Sequence, residues 1–134
     1  MTDRKPGLEY LVISRGQWDE DAAPQRIQTA IDAFYAWHDR LVAEGRMRAG
    51  QRLPPERRLV SAGSITDGPY AEAKEVIGGY WFILADSLDE AALLAAGNPC
   101  IACGLSFEVR PIEPVRASAY SPSCETPAAA PSSA

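Results

Sequence analysis

A ten-residue run, "VIGGYWFILA" from Val76 to Ala85, constrains the fold more than any other stretch of the chain. It carries no charge and is rich in the aromatic and β-branched residues that strands favour. Both alternating sets of side chains are apolar, with Ile77, Trp81 and Ile83 in one set and Val76, Tyr80, Phe82 and Leu84 in the other. A strand of this kind is buried on both faces, so its sheet needs a covering layer on each side.

Two helices are predicted around this strand. "SLDEAALLAAG" follows it, with Ser87 and Glu90 in a capping-box spacing and Gly97 at the expected end. Upstream, a longer helix is predicted from Pro24 to about Gly45, with the acidic residues 19–21 placed to suit its first turn. Its apolar stripe is formed by Ile27, Ile31, Phe34, His38 and Leu41.

Four further strands complete the pattern. They are predicted at Leu8–Ser14, weakly at Met47–Leu53, within the stretch 57–66, and in the alternating "LSFEVRPIE" at the end. The order β-α-β-β-β-α-β predicts an α+β fold of the ferredoxin-like, split-βαβ type, with an antiparallel sheet and both helices on one face. A chain of 134 residues has nothing left to cover the other face. A second copy is the economical cover, so a homodimer is expected.

Composition narrows the partners and the location. The net charge of -5 and the pI near 4.8 give no electrostatic gain from nucleic acid, which is therefore excluded as a partner. A membrane partner is excluded because no apolar run approaches roughly 20 residues. The start lacks the apolar segment of a signal peptide, so we expect a cytoplasmic protein with reduced cysteines. The domain is expected to span residues 1–116, followed by a disordered Ala/Ser/Pro-rich tail over 117–134.

Three motifs in register resemble a known family. "TDGPYAEAKEVIGGYWFI", the helix "SLDEAALLAAGNP" and the closing "FEVRPI" resemble the DGPF-type branch of the YCII-related proteins, with Tyr70 where phenylalanine is usual. The resemblance runs from about Leu8 to Ile112. It implies a dimeric α+β barrel, in which two such sheets pack face to face beside a cleft. In the wider group a His–Asp pair has been proposed as the active site.

His38 and Asp67 are the candidates for such a pair. His38 is the chain's single histidine and lies on the apolar stripe of the first helix. Histidine exchanges protons near neutral pH, so it would act as a general acid or base. Asp67 ends a strand of the sheet that this helix should cover. The alternatives are a packing role for His38 at the edge of the core and a turn role for Asp67 in Asp-Gly-Pro.

The remaining ligand-binding candidates lie at the rim and on the last strand. Tyr70, Lys74 and Glu75 follow the turn and would line the rim of a cleft, although Lys74 would equally pair with a neighbouring glutamate. Glu108 and Arg110 project to one face of the last strand, as a site pair or an interface pair. Six arginines between residues 40 and 58 form either a solvated surface or a patch for an anion.

No cofactor or metal is expected. Cys100 and Cys103 have the C-x-x-C spacing of half a zinc site or a redox pair, but turn residues between a helix and a strand are the simpler interpretation. The sequence therefore predicts a dimeric small-molecule-binding protein or small enzyme of unassigned substrate. The alternative is a regulatory interaction module without chemistry. The resemblance suggests an extracytoplasmic-function sigma factor as the partner of such a module.

Overall fold

The structure is a computed structural model that describes residues 7–67 and 76–128. In chain order the elements are β1 (Leu8–Arg15), α1 (Pro24–Ala43), β2 (Met47–Arg52), β3 (Leu59–Ser61), β4 (Ser64–Thr66), β5 (Ile77–Ala85), α2 (Leu88–Ala95), a 3-10 helix (Pro99–Cys103) and β6 (Ser106–Pro111). Four strands form one antiparallel sheet in the order β2-β5-β1-β6. This architecture confirms the predicted α+β fold.

The core lies between the two helices and one face of the sheet, the inner face. β1 pairs with both β5 and β6, which places Val12 beside Trp81 on one side and Val109 on the other. The buried core also takes in Leu41 from α1 and Ala91 from α2. Both helices therefore pack on the inner face, as the sequence predicts. Neither helix is long and apolar enough to cross a membrane, within the part of the chain that the structure describes.

The outer face of the sheet carries the second apolar set of the central strand. Tyr80, Phe82 and Leu84 of β5 project there, and the neighbouring strand β1 adds Leu11 and Ile13, paired with Phe82 and Tyr80. These side chains are half-buried. The helices leave this face open because both of them pack on the inner one.

The two helices begin differently. α2 starts as predicted, since the Ser87 hydroxyl oxygen accepts a hydrogen bond from the Glu90 N–H at 3.1 Å. α1 starts at Pro24 after Ala23, whose side chain has no acceptor. The predicted acidic first turn is wrong, because residues 19–21 lie before the helix. The Asp19 N–H donates to the Cys103 carbonyl oxygen at 2.9 Å and holds this segment against the 3-10 helix.

The third predicted strand is instead a hairpin. β3 and β4 form a two-stranded sheet of their own, with Ser61 opposite Ser64 and two residues between them. Gly63 has a φ of 68°, a conformation that glycine adopts without steric cost. The strand signal over 57–66 was therefore sound, but a two-residue turn with glycine reverses the chain in its middle.

Backbones approach closely where β2 meets β5. The register shifts between Arg48 and Gln51, which marks a bulge containing Gly50. A Cβ on Gly50 would collide with the Tyr80 carbonyl oxygen, and a Cβ on Gly79 would lie 2.9 Å from the Gln51 carbonyl oxygen. The absence of a side chain at Gly79 therefore permits this close approach. The bulge sets the path of β2 beside the site described next.

Candidate ligand-binding site

A cavity of about 250 Å3 lies between α1 and the inner face of the sheet. The residues that line it are mostly apolar, and five of these residues are aromatic: Trp18, Phe34, Tyr35, Trp81 and Phe107. The Phe34 and Trp81 rings pack with their centroids 5.1 Å apart, and those of Trp81 and Phe107 are 5.6 Å apart. An apolar protein cavity of about 150 Å3 is enough to bind benzene, so this one is large enough for a ring with substituents.

Two further cavities adjoin the first, and the three together are called the inner cleft. A cavity of about 330 Å3 extends toward His38 and shares Phe34, Tyr35 and Trp81 with the first. A cavity of about 470 Å3 extends toward Val76. Ser14 and Arg52 line all three. The inner cleft is therefore one continuous depression centred on the ends of β1 and β2.

Small residues on neighbouring strands create this space. Ser14 is an inner-face residue of β1, paired with Gly79 on one side and Phe107 on the other. Further along the same strand the equivalent positions hold Val12 and Tyr10, which fill the core. The change to a serine beside a glycine removes side-chain volume at this end of the sheet. α1 packs over this space and covers it with aromatic side chains.

Two buried hydrogen-bond donors of the first cavity have no partner. The Trp81 indole Nε1 and the Asn98 side-chain Nδ2 are buried, and neither finds an acceptor among the residues that the structure describes. Asn98 is otherwise held firmly, since its Oδ1 accepts from the Cys100 N–H at 2.8 Å and caps the 3-10 helix. A buried donor without an acceptor costs roughly 1–3 kcal/mol. Such groups call for a specific explanation, and both of these line a cavity.

The charged side chain that lines the inner cleft is positive. Within residues 7–67 and 76–128, no aspartate or glutamate lines any of its three cavities, whereas Arg52 lines all of them. The other arginines nearby are neutralised: Arg48 pairs with Glu9 at 2.8 Å, and Arg58 with Asp67 at 3.3 Å. The Arg52 guanidinium forms no ion pair or hydrogen bond with any residue the structure describes. Arg52 is thus the member of the arginine cluster that lines the cleft.

His38 lies at the edge of the inner cleft. Its side chain is 12% exposed, and its ring packs near Phe34 and Trp81 at centroid distances of 5.5 and 6.4 Å. The ring nitrogen Nδ1 lies 3.1 Å from the Asp39 carboxylate oxygen Oδ1. A carboxylate at this distance favours a proton on Nδ1 and leaves Nε2 free to exchange one. His38 therefore lines one of the three cavities, with the Asp39 carboxylate beside its Nδ1.

Asp67 stands apart from His38 in this structure. It follows β4 at the end of the hairpin, its side chain is 87% exposed, and its carboxylate faces Arg58. No hydrogen bond or ion pair joins Asp67 to His38 in the described part of the chain. The functional pairing of the two residues stays a prediction.

The other sequence-derived candidates are divided. Tyr70, Lys74 and Glu75 lie outside the described residues. Glu108 and Arg110 lie on the outer face, on the opposite side of the sheet from the inner cleft, because Phe107 and Val109 of the same strand pack into the core. The Glu108 carboxylate bonds the Arg15 guanidinium at 2.5 Å and lies 3.8 Å from that of Arg110. Their role in ligand binding stays a prediction.

The two cysteines of the C-x-x-C motif lie in a buried environment. Cys100 and Cys103 are free thiols buried within the 3-10 helix. Burial, and after it the neighbouring Cys103, raises the pKa of the Cys100 thiol to about 11. A thiol held in its protonated form is a poor nucleophile and a poor metal ligand. Within residues 7–67 and 76–128, no cluster of three His, Cys, Asp or Glu residues could hold a metal ion.

Sequence reasoning missed the residues that carry the polar chemistry of the cleft. The sequence identifies Ser14 and Trp81 only as strand residues, and it does not single out Asn98. One signal was present, since Arg52 belongs to the arginine cluster flagged as a candidate anion patch. The sequence does not show which arginine lacks a partner, because that depends on contacts between distant segments.

Comparison with known proteins places the chain among YCII-like folds. The model of the YCII-related domain matches residues 9–116. A solved structure is similar, that of 5-chloro-2-hydroxyhydroquinone dehydrochlorinase from Burkholderia phenoliruptrix in complex with 2,5-dihydroxybenzoquinone. It is 20% identical, the match covers 79% of this chain and 94% of that one, and the TM-score is 0.45. No curated protein sequence matches.

Proposed function

This chain belongs to the family of proteins with a YCII-related domain, and we propose that it binds a small organic molecule in the inner cleft. The observation that carries the proposal is the cavity of about 250 Å3 between α1 and the sheet. It is lined by aromatic side chains and by two residues with buried hydrogen-bond donors that have no acceptor among the described residues. A concave, mostly apolar pocket with a few convergent polar groups is the usual form of a small-molecule site.

His38 is the proposed acid or base of this site. It is the one histidine of the chain and lines the same cleft as Trp81. The neighbouring Asp39 supports the proposal, because a carboxylate beside Nδ1 orients the ring. Asp67 remains the second candidate partner, and it would have to leave Arg58 to serve. A ligand that exposes an acidic or basic atom to His38 would undergo proton transfer there.

A homodimer is proposed as the working form. The outer face carries a row of half-buried apolar side chains from β1 and β5, with ion pairs at its edges: Arg15 with Glu108, and Arg48 with Glu9. An apolar centre with a charged rim is the arrangement of a protein interface. A second copy, related by a two-fold axis, would bury the two outer faces against each other.

A regulatory interaction module is the alternative function. The β3–β4 hairpin supports it, because Leu59, Val60 and Ile65 expose 50%, 75% and 72% of their surface. A partner such as a sigma factor would cover these apolar residues. Co-expression with the sigma factor encoded nearest to the gene would then yield a stable complex, and a Val60→Glu variant would lose it.

Ligand capture tests the proposed function. Ser14→Leu fills the inner cleft, and Ser64→Leu makes the same change on the exposed hairpin as a control. The native protein and the control should bind toluene in a titration followed by tryptophan fluorescence, since Trp18 and Trp81 line the cleft. The Ser14→Leu variant should not. Equal binding by all three proteins, or binding by none, would refute a ligand site in the cleft.

A further inference from the structure

We propose that the inner cleft selects an anionic ring compound whose oxygen atoms accept hydrogen bonds from Trp81 and Asn98, with Arg52 balancing its charge. The inference rests on the proposed function and specifies its ligand class. Carboxylates and phenolates of single-ring aromatic molecules have this chemistry. Three independent features of the cleft lead to it: its donors, its charge and its walls.

The polar groups at the cavity supply donors rather than free acceptors. The Trp81 indole N–H can only donate, and the free atom of the Asn98 side chain is its NH2 group because Oδ1 is already engaged by the Cys100 N–H. Both side chains are more than nine-tenths buried, with relative exposures of 8% and 4%. A ligand that offers oxygen acceptors satisfies both donors, whereas a ligand that offers only N–H groups satisfies neither.

The electrostatics point to the same ligand class. Arg52 lines every part of the inner cleft, and none of the described residues around the cleft is a carboxylate. Its positive charge reaches the cavity, since Arg52 favours the charged form of the Cys100 thiol against the stronger effect of burial. A cation without a counter-ion beside a low-dielectric cavity attracts an anion and repels a cation.

The walls limit the rest of the ligand to a flat, apolar body. Five aromatic residues surround a volume of about 250 Å3, which suits one ring with small substituents. Aromatic side chains pack well against another ring in offset or edge-on contact. Acceptor oxygens on such a ring would meet Trp81 and Asn98 in the first cavity, and His38 lines the second, which also contains Trp81.

Three matched probes test the ligand class: benzoate, toluene and benzylammonium, titrated at pH 7 against the full chain. The native protein should bind benzoate about tenfold more tightly than toluene, and benzylammonium more weakly than either. Arg52→Gln should weaken benzoate about tenfold and leave toluene within about twofold. The control Arg40→Gln, which changes the same charge on the solvent face of α1, should leave all three affinities unchanged.

The donors are tested separately. Trp81→Phe removes the N–H and keeps a ring, and Asn98→Asp keeps the oxygen that caps the 3-10 helix while replacing the NH2 group. Each should weaken benzoate by about tenfold with little change for toluene. Binding of toluene together with benzoate no tighter than benzylammonium, or benzoate affinity indifferent to both donor variants, would overturn the inference and leave the proposed function standing. Failure of every probe, toluene included, would instead refute the proposed function.

Discussion

At the scale of single residues, unsatisfied groups are the most informative feature of this chain. Trp81 and Asn98 each leave a donor buried without an acceptor, and Arg52 stands without a counter-ion among the residues described. The two buried donors cost stability, which a marginally stable protein tolerates where function requires it, whereas Arg52 is exposed. The coincidence of all three at one cavity is the reason for assigning the site there.

The His38–Asp39 contact gives a prediction on proton placement. If the Asp39 carboxylate accepts from Nδ1–H, the native ring should show the Nδ1-protonated tautomer in 15N NMR at neutral pH. Asp39→Asn should shift the population toward the Nε2-protonated form, which is the commoner tautomer of free histidine. Asp67→Asn is the matched control, because Asp67 faces Arg58. A tautomer that responds to Asp67→Asn and ignores Asp39→Asn would instead identify Asp67 as the partner.

The buried thiol gives a prediction on pH. Burial raises the pKa of Cys100 from 9.0 to about 11, so between these values the unfolded chain loses this proton while the folded one keeps it. The free energy of unfolding should therefore fall as the pH rises from 9 toward 11, by at most roughly 3 kcal/mol from this group. Urea unfolding of the native protein and Cys100→Ala over this range measures the difference. Parallel pH profiles for the two proteins would contradict the assignment.

At the scale of elements, the two helices differ in how their first turns are satisfied. α2 has the predicted serine cap, whereas α1 begins after an alanine in extended conformation. α1 is nevertheless the longer helix and provides the aromatic roof of the cleft. Its stability comes from packing of one face on the sheet rather than from its N-terminal end.

Matched cap substitutions test this difference. Ala23→Ser introduces an acceptor at a position whose φ of -66° and ψ of 147° already suit a cap, so it should raise stability by about 0.5–1 kcal/mol. Ser87→Ala removes an existing cap and should lower stability by about 1 kcal/mol. Thermal unfolding of both variants measures the two shifts. A Tm unchanged by Ala23→Ser would show that the N–H groups at the start of α1 already have partners.

At the scale of the whole molecule, the proposed dimer buries the outer face of the sheet against a second copy. Light scattering should give a mass about twice 14.5 kDa at micromolar concentration. Leu11→Glu places a charge opposite Phe82 at the centre of this face and should yield monomers. Val60→Glu, on the exposed hairpin, is the control and should leave the dimer intact. A native monomer would exclude the dimer, and a dimer that survives Leu11→Glu would place the interface elsewhere.

The C-terminal residues after β6 give a second prediction at this scale. Between 117 and 128 the structure shows turns and irregular segments. A hydrogen bond joins them to the sheet, since Arg110 Nη2 lies 3.1 Å from Cys124 Sγ, and both side chains are exposed. An exposed contact of this kind contributes little to stability. Deleting residues 117–134 should therefore change the Tm by less than about 2 °C. A loss of several degrees would show that the tail packs on the domain.

The sequence alone determined the elements and the family of the fold. The doubly apolar strand β5, the Ser87 cap and the alternation in β6 are local patterns that depend on the chain's own periodicity, so they could be recognised without coordinates. The same holds for the split-βαβ order and for the helices on one face. The hairpin within 57–66 was missed because one glycine reverses a chain whose side chains still suit a strand.

Only the tertiary structure decided where the cleft lies and which residues equip it. Ser14 becomes part of a cavity because Gly79 and Phe107 are its neighbours across the sheet, a register that the sequence does not specify. Arg52 is the arginine that lines all three cavities, and that position follows from contacts between distant segments. Burial, register and charge pairing are properties of contacts between elements, which is why the chemistry of the site emerged only from the folded chain.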